Sequence, residues 1–81
     1  MTVEMFVSML RALRRAGQKG ATVQELIDSL GVSDKTVRRT IDEMVQLDLP
    51  IVYEETEFGA KIYYLSKAGL MDWVDRMSKE K

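Results

Sequence analysis

The sequence predicts a small α+β domain: a three-helix core, a two-stranded β-hairpin and an extra C-terminal helix. Three observations predict it. Apolar residues recur at helical spacing through three segments before Pro50, the period shortens to that of strands between Ile51 and Leu65, and helical spacing returns after Ser66. At 81 residues the chain is one domain, because domains run to roughly 100 to 200 residues. Folding at this size buries only about 60 to 65% of the extended surface, so a multidomain enzyme is excluded and a deep substrate cavity is not expected.

The first helix spans about residues 2–16, with Val3, Phe6, Val7, Leu10 and Leu13 as its apolar stripe and Gly17 as the residue that stops it. Met5, Met9, Ala12 and Ala16 form a second stripe beside the first. Two readings stay open for it: a wider core contact, or a subunit interface. After the polar connection Gly17-Gln18-Lys19-Gly20, the second helix opens with Thr22-Val23-Gln24-Glu25, a capping box. Val23, Leu26, Ile27 and Leu30 give it one apolar stripe, and Gly31 ends it.

Only Gly31-Val32-Ser33 separates this helix from the third, with Ser33 as N-cap. The third helix, about 34–47, turns Val37, Ile41 and Met44 inward and leaves Lys35, Thr36, Arg38, Arg39 and Asp42 outward or flanking. Pro50 prevents its continuation. Ile51-Val52-Tyr53 and Ala60 to Leu65 then read as the two strands of a hairpin whose tip, Glu54 to Gly59, holds three acids. Ser66 is a candidate N-cap for a fourth helix over about 67–78, with Leu70, Trp73, Val74 and Met77 on its apolar side and a frayed Lys79-Glu80-Lys81 tail.

The formal charge is −1, yet it is unevenly spread. Residues 1–20 carry a net +3, residues 21–40 balance, residues 41–60 hold six acids and no base, and residues 61–81 return to +2. Near-neutrality therefore conceals a basic first half and an acidic block, which bears more on partners than the total does. Cysteine and histidine are absent, which removes disulfides, thiolate chemistry, the commonest metal ligands and the commonest general base. The carboxylate pairs Asp42-Glu43 and Asp72 with Asp75 lack any nucleophile, metal-ligand set or glycine-rich phosphate loop beside them, so no enzyme, metal or cofactor is expected. No apolar stretch has the length of a signal peptide or a membrane span, and a cytoplasmic location is expected.

Two short helices joined by a three-residue glycine turn, the second bearing basic and hydroxyl residues in its first turns, form a helix-turn-helix pattern. A helix of this width fits the major groove of double-stranded DNA, where its N-terminal end presents N–H groups and side chains to phosphates and base edges. The expected DNA-contacting residues are Ser33, Lys35, Thr36, Arg38 and Arg39. A plainer reading of the two arginines is a solvated face with salt bridges to Asp34, Asp42 or Glu43. Arg11, Arg14, Arg15 and Lys19 read as a solvated face with flanking phosphate contacts.

The run Leu30-Gly31-Val32-Ser33-Asp34-Lys35-Thr36-Val37-Arg38-Arg39-Thr40-Ile41, its spacing to Leu49-Pro50-Ile51 and the strand ending Tyr63-Tyr64-Leu65 resemble the winged helix-turn-helix domain of DeoR-type and WYL-type regulators and of the biotin repressor's N-terminal domain. The resemblance covers roughly residues 3–65. It implies a winged helix-turn-helix domain over 1–65 and a transcriptional regulator that reads specific DNA sequences with the third helix; residues 66–81 are read from their apolar spacing as a C-terminal helix and candidate dimerisation element with a frayed tail. The hairpin would be the wing. Its tip departs from the basic or glycine-rich wings of such proteins, since Glu54, Glu55 and Glu57 would be repelled by phosphates. Those regulators also carry a large effector domain after the wing where this sequence has one helix, so small-molecule sensing is not expected. A homodimer is expected, with Met5, Met9, Leu70, Trp73 and Met77 as its candidate interface. The rival reading is a protein-interaction module that uses the acidic hairpin or the apolar surface of the first and fourth helices.

Overall fold

The computed structural model describes residues 1–79; the last two residues of the tail, Glu80 and Lys81, lie outside the described residues. Helix α1 (Val3–Ala16) starts where the Thr2 hydroxyl accepts the Met5 N–H and ends at Gly17, beyond which Gly17–Lys19 form a single 3-10 turn. A two-residue strand β1 (Ala21–Thr22) leads into α2 (Val23–Leu30), then α3 (Asp34–Gln46), β2 (Ile51–Glu55), β3 (Lys61–Leu65) and α4 (Lys67–Lys79). The Ser66 hydroxyl caps α4 by accepting the Gly69 N–H at 3.1 Å.

The sheet has three antiparallel strands in the order β1-β3-β2, one more than the expected hairpin. Ala21 pairs with Tyr63 and Thr22 with Ile62, a contact across some forty residues that no local pattern announces. Register within the hairpin sets Tyr53 opposite Tyr63 and Glu55 opposite Lys61. Glu54 and Glu55 are therefore strand residues rather than tip residues, and only Glu57 of the three acids sits in the turn. The tyrosine rings of the cross-strand pair lie 6.0 Å apart, and the Lys61 ammonium sits 4.8 Å from the Tyr53 ring centre, a cation–π contact.

Met9, Leu13, Leu26, Val37 and Met44 form the deepest part of the core, completed by Ala21, Ile41, Leu49 and Tyr63. The two stripes read on α1 are one broad contact centred on Met9 and Leu13, with Phe6, Leu10, Ala12 and Ala16 packed around them. Val3 and Val7 fall on its exposed flank instead. Met9 is fully buried, which corrects its expected place in a dimer interface: a second copy has no access to it.

Two backbone devices position the wing. At the end of α3 the Leu49 N–H donates to the Met44 carbonyl and the Asp48 N–H to the Val45 carbonyl, a Schellman motif in which Asp48 takes the left-handed conformation (φ 64°) that glycine usually fills. The chain reverses there and buries Leu49 against the core. At Gly20 (φ 74°), an added Cβ would lie 2.5 Å from Ile62 Cγ2 and 2.7 Å from Tyr64 Cε1, so only glycine lets β1 approach β3 this closely. Helix α4 docks through Trp73, whose ring tilts against Phe6 at 6.4 Å and whose indole N–H donates to the Leu47 carbonyl at 2.8 Å.

Candidate nucleic-acid interface

The interface is built from the turn outward. Thr22 and Glu25 complete the capping box of α2 reciprocally, the hydroxyl accepting the Glu25 N–H at 3.1 Å and the carboxylate accepting the Thr22 N–H at 3.0 Å. Those bonds hold the Glu25 carboxyl below its ordinary pKa, the backbone N–H contributing most. Gly31 ends α2 in the left-handed region (φ 68°), its N–H donating to the Ile27 carbonyl. Val32 then packs on the core, which fixes the direction in which α3 leaves.

Ser33 caps α3, accepting the Thr36 N–H at 3.2 Å and donating its own hydroxyl hydrogen to Thr36 Oγ1 at 3.0 Å. This geometry gives the two hydroxyls different tasks. Ser33 is occupied within the cap, whereas the Thr36 hydroxyl hydrogen is left for an acceptor outside. Thr40, absent from the sequence-derived site and core, is buried and donates to the Thr36 carbonyl at 2.8 Å, so α3 rests on its inner side without an unsatisfied polar atom.

Val37, Ile41 and Met44 anchor α3 in the core, and Lys35, Arg38 and Arg39 consequently face solvent. Arg38 Nε donates to the Asp34 carboxylate one turn earlier, and that hydrogen bond, with the charge behind it, raises the arginine pKa further. The salt bridge weighed from the sequence is present, but the pair stays more than half exposed and engages Nε alone. The Nη groups remain directed by a fixed partner and free to donate.

A notch of about 290 Å³ separates the first turn of α2, Arg38 and the Gly59–Lys61 end of the wing. Gln24 and Lys61 line it with Arg38, two residues that sequence reasoning did not single out. Gln24 was legible as the exposed second residue of α2; Lys61 was not, because only the sheet brings it beside α3. The basic residues of α1 are divided: Arg11 and Arg15 line a cleft toward Ser29, whereas Arg14 faces the opposite groove beside Lys67. Among the described residues no group of three acidic, histidine or cysteine side chains is placed to hold a metal ion, and no helix is long and apolar enough to cross a membrane.

Three helices, a glycine turn and a hairpin packed beside the third helix define a winged helix-turn-helix domain. The sequence matches the DeoR-like helix-turn-helix domain over residues 8–52, more than half of its length, and the chain belongs to that family. The fold is similar to the crystal structure of the S. aureus MepR–DNA complex, with a TM-score of 0.70 and 20% identity over 98% of this chain and 68% of that one. No curated protein matches the sequence.

Proposed function

We propose that this protein is a transcriptional regulator that binds specific sites in double-stranded DNA by laying α3 in the major groove. The observation that carries this reading is the division of α3 itself: its apolar side is locked into the core while Lys35, Arg38 and Arg39 stand exposed on its first two turns, with Thr36 half-buried beside them. In this reading Ser33 fixes the helix start, Thr36 and Lys35 contact phosphate, and Arg38 and Arg39 supply charge and guanine recognition. Family membership supports the same reading, as does a fold shared with a protein crystallised on DNA. A cytoplasmic location belongs to the same proposal.

A two-fold homodimer remains part of the proposal, on a redrawn face. Trp73 is committed to Phe6 and Leu47, and Leu70 packs on the core. Met71, Val74 and Met77 are the exposed large apolar residues of α4, with Met5 half-buried on α1; Met77 and Val74 are the ones assigned to this face. The test is DNA binding as a function of salt. If each protomer neutralises three to four phosphates, log K falls with log salt at a slope of roughly −3 per protomer. Arg38→Ala/Arg39→Ala should weaken binding at least about tenfold and flatten that slope by about 2. Wild-type protein with no DNA affinity at low ionic strength would refute the proposal; a double variant that binds as wild type would assign reading to another surface.

A further inference from the structure

Two surface features lie off α3, at opposite ends of the hairpin. At the tip, Phe58 is 91% exposed. It is not on a loose loop: the Thr56 N–H donates to the Ala60 carbonyl at 2.7 Å, the Gly59 N–H to the Thr56 carbonyl at 2.9 Å, and the Thr56 hydroxyl accepts from both Phe58 and Ala60. The turn holds the ring outward beside Glu57, with Glu55 at the end of the strand behind it. At the base, a groove of about 680 Å³ opens between the end of α1, β3 and the start of α4. Leu13, Leu65, Leu70 and Met71 give it an apolar lining, and the charged residues on its wall are Arg14 and Lys67, both basic.

A protruding knob flanked by Glu57 and Glu55, with Lys61 across the strand from Glu55, and a groove flanked by Arg14 and Lys67 are opposite in form and carry opposite charge at their edges. They cannot meet within one molecule, because β3 is a paired strand that holds Lys61 at one end and Leu65 at the other, roughly 13 Å apart. We infer that the occupant of the groove is a second copy of this chain, whose Phe58 enters between α1 and α4 while Glu57 and Glu55 face Arg14 and Lys67. The contact joins two different patches, so each copy keeps a free knob at one end and a free groove at the other. It is heterologous and propagates as an open chain of copies. None of the groove or knob residues belongs to α3, although Gly59, next to the knob, lines the notch with Arg38. One aromatic anchor and its ion pairs make a small interface, which associates at protein concentrations of roughly 1 mM.

The test needs no DNA and therefore stands apart from the reading of α3. Sedimentation of the full chain at roughly 1 mM should show species longer than a two-fold dimer. Phe58→Ser and Met71→Glu, both at exposed positions, should each weaken association by more than about tenfold. Mixing these two variants, each also carrying Met77→Glu to break the two-fold face, should restore 1:1 pairs and nothing longer, because one supplies only the groove and the other only the knob. A benzoylphenylalanine in place of Phe58 should photo-cross-link to residues 13–18 or 64–71 of another copy. Unchanged association in Phe58→Ser, a monomeric wild type, a mixture that stays monomeric, or cross-links that map elsewhere would each overturn the inference.

Discussion

Every buried hydrophobic residue except Tyr63 lies between Met9 and Leu49, whereas α4 buries none fully and the hairpin leaves Val52, Tyr53 and Phe58 exposed. The charges divide elsewhere, within α3: residues 1–40 carry a net +3, and residues 41–60, from the second half of α3 to the hairpin tip, carry −6. The helical trio is thus a rigid mount that holds α3 at a set angle, and the hairpin with α4 is a thinner layer attached to it through a few specific contacts. Rigidity is concentrated where groove reading needs it. The outer layer, with little core to protect, is free to carry exposed apolar groups.

That contrast can be tested by truncation. Met44→Ala removes a side chain with no exposed surface and should cost about 2 to 5 kcal/mol, whereas Met77→Ala, at a position 41% exposed, should stay within about 0.5 kcal/mol. Urea unfolding of the two variants reads the difference directly, and equal losses would abolish the distinction. Gly20→Ala probes the joint between the layers: a left-handed backbone and a Cβ driven against Ile62 and Tyr64 should together cost about 1 to 3 kcal/mol. Gly31→Ala shares the backbone penalty but meets nothing within 4 Å, so it should cost less. If the two cost the same, close approach of β1 and β3 contributes nothing.

Trp73→Phe keeps the ring against Phe6 and removes the N–H that Leu47 accepts, for an expected loss of about 1 kcal/mol in the same assay. The smallest effect belongs to Glu25. Its carboxyl pKa is lowered in the folded state, so its stabilisation is fully present above the ordinary value of 4.5 and fades as pH falls through the lowered one. Glu25→Gln should flatten melting temperature against pH in that acidic window and change little at neutrality. Because the carboxylate is exposed, solvent screening keeps the effect slight.

Local devices were readable from residues alone. The Thr22–Glu25 capping box, the Ser33 cap, the left-handed Gly31 and the Ser66 cap each depend on side chains within a few positions, so type and spacing suffice. Contacts that depend on distant partners were not readable. Strand β1 exists only because β3 passes beside it, and Glu54 and Glu55 extend β2 because Tyr53 and Tyr63 set the register, against the weak strand preference of glutamate. Periodicity found both stripes of α1 but not their centre, which α2 and α3 determine by packing on Met9 and Leu13. At the candidate site, the exposed basic face of α3 followed from Val37, Ile41 and Met44. The division of labour between the Ser33 and Thr36 hydroxyls, and the arrival of Lys61 beside Arg38, arise only from hydroxyl orientation and strand pairing in the folded chain.

Trp73 is the chain's single tryptophan, and it stands where α4 meets the end of α3 and the side of α1. Its fluorescence is therefore a built-in optical gauge of one joint. Detachment of α4 would expose the indole and shift its emission to the red while the circular dichroism of α1 to α3 stayed nearly unchanged. Global unfolding would move both signals together, so a single sample heated in one cuvette can tell whether the outer layer melts with its mount or before it.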